Sequence, residues 1–289
     1  MLFNYRTSGI IMLLVITTIS SALASDNLST AESTTVVQTS SQNSSSVEFN
    51  REYVTGYWTD TQNILTSPAR WDSSDWLEAS LIMGTAVGLY TQDDNIKNWV
   101  QKKKNSTTAN FADDTKKIYL LSLPAAVGLG VYGYVASDDK AKTTFLLSTE
   151  SFVITGAFVQ VLKHATGRHR PETGDSHDTW SGPVFSGKGS DLSFPSGDAS
   201  TAFSIATVVA TEYDNWIVPP VVYGISTLVA LGRVHNNAHW SSDVFVASVI
   251  GYYTGKAVVA SHSSSNVNKL SIAPMIDGND KGVLITYRY

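Results

Sequence analysis

The chain contains no cysteine among its 289 residues. This absence excludes disulfides, thiolate nucleophiles, zinc–thiolate sites and iron–sulfur clusters. It leaves the compartment open, because a chain without cysteine suits a bacterial periplasm but does not require one.

Charged residues are also scarce. Only 16% of the residues are Asp, Glu, Lys or Arg, and the formal net charge is −5. General nucleic-acid binders usually carry a basic face, so we expect no nucleic-acid partner. Apolar residues make up 43% of the chain, which is enough for a sizeable core and too much for a mainly disordered protein.

The N-terminal residues 1–24 predict a secretory signal peptide. Arg6 precedes a short apolar run, and Ala22-Leu23-Ala24 fits a small-residue cleavage site. The run is short for a spanning helix, although an uncleaved anchor stays open. Residues 25–48 are rich in Ser, Thr, Asn and Gln, which predicts a flexible linker.

Six apolar segments predict helices, because their lengths of about 16–24 residues exceed those of ordinary strands. They lie at 75–91, 118–137, 143–166, 198–213, 217–233 and 241–261. The polar and basic stretch 92–117 predicts a loop with an amphipathic helix. The expected fold is all-α, a six-helix bundle over 49–268, followed by a short C-terminal β-hairpin over 269–289.

Two cations mark the end of the third apolar segment. Lys163 and Arg170 are seven residues apart, two turns along one helical face, and Pro171 makes Arg170 a helix end. Such a pair suits an oxyanion such as phosphate. The alternative is a solvated basic helix end favoured by the helix dipole.

A second motif, Pro195-Ser196-Gly197-Asp198, precedes the fourth segment. Gly197 allows close approach of the backbone, and the free N–H groups of a helix start bind anions. Ser196 can donate a hydrogen bond. The alternative is an ordinary helix start with Ser196 or Asp198 as its cap.

A third motif lies between the last two segments and contains Arg233, His239 and Asp243. If a helix begins near Ser241, Asp243 can accept a hydrogen bond from one imidazole nitrogen. The other nitrogen would then be free to attack an electrophile. The alternative is a histidine satisfied by a nearby aspartate cap.

In this order, Lys-x6-Arg-Pro, Pro-Ser-Gly and Arg-x5-His-x3-Asp resemble the signature of the type 2 phosphatidic acid phosphatase superfamily. That superfamily also contains bacterial class A acid phosphatases and vanadium haloperoxidases. The resemblance, from about Asp75 to Ser261, implies hydrolysis of phosphate monoesters or lipid phosphates through a phosphohistidine. It implies no cofactor, no metal and inhibition by vanadate, because cationic side chains can stabilise the transferring phosphoryl group.

The resemblance also implies residue roles. His239 would be the nucleophile and Asp243 would orient it. The phosphate would be held by Lys163, Arg170, Ser196, Gly197 and Arg233.

The sequence departs from the family at Asp198, where a histidine usually serves as general acid. A carboxyl group can act as general acid only while it holds a proton. A helix start and nearby cations favour loss of that proton, whereas a bound phosphate dianion favours its retention. His169, His177 or His235 could supply the proton instead. A catalytically weak or inactive phosphate-binding homologue is therefore the alternative function, and a haloperoxidase is less favoured because those enzymes also use the missing histidine. A smaller departure is Gly232, where serine commonly precedes the arginine.

The topology expected from the signal peptide favours a secreted, periplasmic domain with at most peripheral membrane contact. With an external N-terminus, six spans would place the loop after the third helix in the cytoplasm, whereas bacterial members usually expose their catalytic loops outside. A membrane-embedded bundle is the alternative, since residues 118–137 form a long uncharged stretch.

Overall fold

The computed structural model describes residues 47–185, 188–264, 270–277 and 280–287. The predicted signal peptide and nearly all of the predicted linker lie outside the described residues. The part that is described is mainly helical.

Seven α-helices lie within the described residues. They are α1 (Arg51–Thr66), α2 (Ser73–Lys103), α3 (Ser106–Ala136), α4 (Asp139–Thr166), α5 (Gly197–Glu212), α6 (Val218–His235) and α7 (Ser241–Ser264). Three short 3-10 helices cover Ser67–Arg70, Pro171–Thr173 and Gly189–Asp191. Two strands, β1 (Leu270–Asp277) and β2 (Asp280–Tyr287), pair antiparallel from Leu270 opposite Tyr287 to Asp277 opposite Asp280.

Each of the six predicted helices falls in one of α2 to α7, and α1 adds a seventh that the sequence analysis did not predict. In α1 the buried side chains are those of Tyr53 and Asp60, so it has no wide apolar face to reveal it.

The sequence predicts a loop with an amphipathic helix over 92–117, and the long loop is wrong. Helix α2 continues to Lys103, and α3 begins at Ser106 after a two-residue break. The Asn105 side chain caps α3 by accepting a hydrogen bond from the N–H of Thr108 at 3.0 Å. Lys102 and Lys103 lie in the last turn of α2, where the helix dipole favours cations. The polar residues therefore lie on and between helices rather than in a long loop.

Two glycines in α7 fix its packing against α5. A Cβ at Gly251 would lie 2.2 Å from the carbonyl oxygen of Ser200, and one at Gly255 would lie 2.8 Å from that of Ser204. From the first contact to the second, the residue number rises by four in both helices, so α5 and α7 run parallel at close approach. Their N-termini, which carry the second and third motifs, are consequently held at the same end of the bundle.

A large apolar surface remains exposed on α2, α3 and α6. Helices α4 and α7 also contain segments long and apolar enough to cross a membrane, Asp139–Thr166 and Ser241–Ser263. Together these features indicate association with a membrane. The exposed apolar side chains include Trp76, Leu77, Leu81, Met83, Val87, Leu120, Val127, Val131, Val135, Val221, Ile225 and Leu228.

Candidate active site

The three motifs converge at one end of the bundle, where α4 and α6 end and α5 and α7 begin. A Cβ at Gly197 would lie 4.0 Å from Lys163 Cε, so the first and second motifs adjoin. The N–H of Ser196 donates to the carbonyl oxygen of Asp243 at 3.3 Å, which joins the second motif to the third. The site residues predicted from sequence are thus brought together by four helix ends.

Lys163 and Arg170 provide cations on one side of this site. Lys163 is buried, and its Nζ donates to the carbonyl oxygen of Leu192 at 2.7 Å. Helix α4 is capped by Gly167, which has a φ of 59° and would place a Cβ only 2.4 Å from the carbonyl oxygen of Gly182. This turn leads the chain to Arg170, whose Nε is buried and has no hydrogen-bond partner among the described residues. Arg170 is therefore available to an anion.

Arg233 provides the third cation. Its Nε lies 3.0 Å from Asp198 Oδ2, close enough for an ion pair although the N–H does not point at the carboxylate. The preceding Gly232 packs against α3, where an added Cβ would lie 2.1 Å from Thr115 Oγ1. The serine usual at this position in the family would therefore clash with α3.

His239 is buried in the loop between α6 and α7, and its Nδ1 lies 2.8 Å from the carbonyl oxygen of Ser193. A carbonyl can only accept, so Nδ1 carries the proton and Nε2 keeps its lone pair. Burial, together with the positive charges of the three cations described above, holds the pKa of His239 well below its usual value. The imidazole is therefore neutral and able to attack.

Asp243 is connected to His239 through Ser193. Its nearest carboxylate oxygen is 3.9 Å from His239 Nδ1, beyond the direct hydrogen bond that the sequence analysis expected. It accepts instead from Ser193 Oγ at 2.5 Å and from the N–H of Trp240 at 3.1 Å. Asp243 thus fixes the residue whose carbonyl orients the imidazole.

Arg168 is a buried site residue that the sequence analysis missed, with no solvent exposure. Its Nη1 donates to Asp243 at 2.5 Å, and its Nη2 donates to Asp93 of α2 at 2.8 Å. The guanidinium lies 4.9 Å from the ring centroids of Tyr90 and Trp180, a cation–π arrangement. We call Asp93, Arg168 and Asp243 the arginine triad.

Asp93 anchors the triad to the start of α7. Its Oδ1 accepts from Ser241 Oγ at 2.5 Å and from the N–H of Ser242 at 3.0 Å. The first motif could have indicated Arg168, because it lies two residues before Arg170. Nothing near Asp93 in the sequence indicated its partners, which are 75 or more residues away.

The three histidines considered as alternative proton donors differ in their contacts. His169 uses both nitrogens, at 2.7 Å from Asp175 and 2.8 Å from Ser181 Oγ. His177 Nδ1 lies 2.7 Å from Asp94. Both nitrogens of His235 are buried and have no hydrogen-bond partner in the described part of the chain.

A family model of the PAP2 superfamily matches residues 145–266. These residues belong to the PAP2 superfamily. The match confirms the family inferred from the three motifs, and it contains every site residue named from sequence. Asp93 lies outside it, so this PAP2 region is supported by an acid from a preceding helix.

Two curated proteins are similar in sequence to part of this chain. A lipid A 1-phosphatase of Porphyromonas gingivalis is 26% identical over 140 residues, covering 47% of this chain and 28% of the relative. A PA-phosphatase related-family protein of Dictyostelium discoideum is 29% identical over 163 residues, covering 52% and 59%. The chain thus spans less than two thirds of either relative. The crystal structure of Aquifex aeolicus LpxE aligns with 58% of this chain and 94% of that one, at 18% identity and a TM-score of 0.46.

Proposed function

We propose that this PAP2 protein is a phosphatase that hydrolyses lipid phosphate monoesters through a phosphohistidine on His239. The observation that carries the proposal is a buried, neutral imidazole beside three cationic side chains, those of Lys163, Arg170 and Arg233. A phosphate group needs this combination, a nucleophile with a free lone pair and fixed positive charge for its oxygens.

In the proposed reaction the phosphate oxygens pair with the three cations, and with Ser196 and the N–H of Gly197 at the start of α5. Nε2 of His239 attacks phosphorus, the bond to the ester oxygen breaks, and the departing oxygen takes a proton. Water then attacks the phosphohistidine, which releases inorganic phosphate and restores the imidazole. The cations stabilise the charge on the equatorial oxygens throughout.

We propose Asp198 as the donor of that proton. In the free enzyme its carboxylate faces Arg233 at 3.0 Å. A bound phosphate dianion would compete with this carboxylate for Arg233 and leave the Asp198 side chain beside the phosphate group.

An apolar groove beside the site supports a lipid substrate. Its volume is about 390 Å³, and its lining on α3 to α6 is almost wholly apolar. Ala202 of α5 lies four residues beyond Asp198, and Val229 of α6 lies four residues before Arg233. The groove therefore begins about 6 Å along each helix from the phosphate site. An acyl chain could occupy it while the phosphate reaches His239, which agrees with the exposed apolar surface of the bundle.

The test uses the purified full chain in detergent micelles, assayed with a short-chain phosphatidic acid and with p-nitrophenyl phosphate. We expect the lipid to be the better substrate, vanadate to inhibit, and a labelled phosphohistidine to form and disappear in the His239→Ala variant. His164→Gln is the control, because that imidazole is half-buried and within the described residues hydrogen-bonds only to the carbonyl oxygen of Gln160. Phosphate binding without turnover or labelling would instead establish the inactive phosphate-binding homologue.

The acid is tested with an ester that has a poor leaving group, assayed from pH 4 to 8. Asp198→Asn should slow this ester far more than it slows p-nitrophenyl phosphate, whose leaving group needs little protonation. Equal slowing of both esters would refute Asp198 as the acid. His235→Gln is the comparison, and a selective loss there would move the role to His235.

A further inference from the structure

A second cluster of polar side chains is buried far from the phosphate site. It joins Asp60 of α1, Glu150 of α4 and His262 of α7, and the potential ligand atoms all lie within 4.8 Å of one another. Glu150 precedes Lys163 by thirteen residues, which is about 20 Å along α4. The cluster therefore belongs to the opposite part of the bundle from the reaction.

The distances in this cluster fit ligands that surround one small cation. His262 Nε2 lies 2.9 Å from Glu150 Oε2 and 3.6 Å from Asp60 Oδ2. Ligands about 2.0–2.1 Å from a tetrahedral metal are about 3.3 Å from each other, between these two values. Modest side-chain adjustment would place one metal ion in contact with all three residues.

The charge of the cluster also favours the binding of a cation. Asp60 and Glu150 are both buried, and no described ion pair joins either of them to a lysine or an arginine. With both acids ionised, a protonated His262 would balance only one of their two negative charges. In addition, Glu150 Oε1 is buried without a hydrogen-bond partner among the described residues.

A cation here would fasten α1 to the bundle. The buried side chains of α1 are those of Tyr53 and Asp60 alone. The Tyr53 hydroxyl donates to the carbonyl oxygen of Leu146 in α4 at 2.6 Å. Ile64 also packs against the apolar core of α4, α5 and α7. Among the polar contacts that hold the helix, a shared metal ligand set would be the strongest.

We propose that Asp60, Glu150 and His262 form a structural site for a divalent transition-metal cation of the zinc class, with a fourth position open to water. One imidazole with two carboxylates suits such a cation, whereas calcium and magnesium prefer ligand sets made only of oxygen. The proposal is independent of the phosphatase chemistry, because the cluster contains none of the residues assigned to it.

The experiment uses chelator-treated full chain in detergent micelles and titrates it with Zn²⁺ by calorimetry, with metal content and melting temperature measured in parallel. We expect one Zn²⁺ per chain and a melting temperature raised by several degrees, with no rise in Mg²⁺ or Ca²⁺. Asp60→Asn and His262→Gln should each weaken Zn²⁺ binding at least tenfold and abolish the rise. His164→Gln, on the same helix as Glu150, should behave as the unmodified chain.

A second measurement needs no variant. Co²⁺ added to the unmodified chain should give the visible absorption of a four-coordinate site, and Zn²⁺ should remove it. Absence of saturable Zn²⁺ binding, or binding that persists unchanged in Asp60→Asn, would overturn the proposal. The cluster would then be an ion pair between a protonated His262 and its two carboxylates.

Discussion

Two pairs of acids are buried in the described part of the chain, and they are compensated differently. Asp93 and Asp243 share Arg168, which is always charged and donates to both, at 2.8 and 2.5 Å. Within the described residues, the cation that Asp60 and Glu150 share is the imidazole of His262. The first arrangement balances much of its charge and uses a planar group with fixed geometry. The second leaves negative charge for another cation to balance.

This difference matches what each pair supports. The arginine triad holds Ser193 and the start of α7, and through them the orientation of His239. A nucleophile needs rigid support, because a small displacement lowers the rate steeply. The cluster of Asp60, Glu150 and His262 instead joins α1 to the rest of the helices. There a replaceable cation is sufficient.

The largest effect is expected from Arg168→Met, which removes the shared cation and leaves two buried carboxylates uncompensated. Breaking a buried ion pair in this way costs about 3–5 kcal/mol. We expect a marked fall in melting temperature and loss of phosphatase activity, measured in detergent micelles. Arg70→Met is the control, since that arginine is exposed and donates to Thr66 and Asn63. An unchanged melting temperature in Arg168→Met would show that the triad does not stabilise the fold.

The sequence predicted the parts of the site that are local to helix ends. Lys163, Arg170, Ser196 and His239 each lie beside a helix boundary that proline, glycine or a capping residue makes visible. The pairing of Asp93 with Arg168 could not be predicted, because it depends on how α2 packs beside the loops at the phosphate end.

The same reasoning explains the fold. Helices α2 to α7 were predictable from their long apolar segments, whereas α1 was not, since it contacts the bundle through isolated side chains, such as Tyr53, Asp60 and Ile64, and not through a wide apolar face. The extent of α2 was also missed. Its polar last turns were interpreted as a loop, although helix capping and the dipole stabilise them.

A smaller effect is expected from Asp93→Asn, which keeps the shape of the side chain but removes its charge. In the proposed reaction Asp93 orients His239 without touching the substrate, so kcat should fall about tenfold or more while KM changes little. Its neighbour provides a matched control: Asp94 is partly exposed and accepts from His177 and Ser176. Asp94→Asn should stay within about twofold of the unmodified enzyme. Equal losses in the two variants, or a loss confined to KM, would contradict a role in orienting His239.

The pH dependence of activity tests the electrostatic environment of His239. The lowered pKa of His239 means that its imidazole stays neutral as pH falls through the usual histidine range. Activity that depends on the neutral form is therefore kept until pH passes below the lowered pKa. In a profile of kcat/KM, which reports the free enzyme, we expect the acid limb well below the ordinary histidine pKa of 6.5. An acid limb near pH 6.5 would show that the cations and burial do not act on His239 as the structure implies.

The smallest effect on turnover is expected from Asp60→Asn, in the second pair of acids. The cluster lies about 20 Å along α4 from Lys163, and it touches none of the groups that orient His239. At saturating lipid substrate we expect kcat within about twofold of the unmodified enzyme, in contrast to Asp93→Asn. The melting temperature should lose its response to Zn²⁺ in the same preparation, so one variant separates the two pairs. A loss of kcat as large as that of Asp93→Asn would mean that a change in the packing of α1 alters the geometry of the phosphate site through α4 or α7. Both pairs of acids would then support the phosphate site.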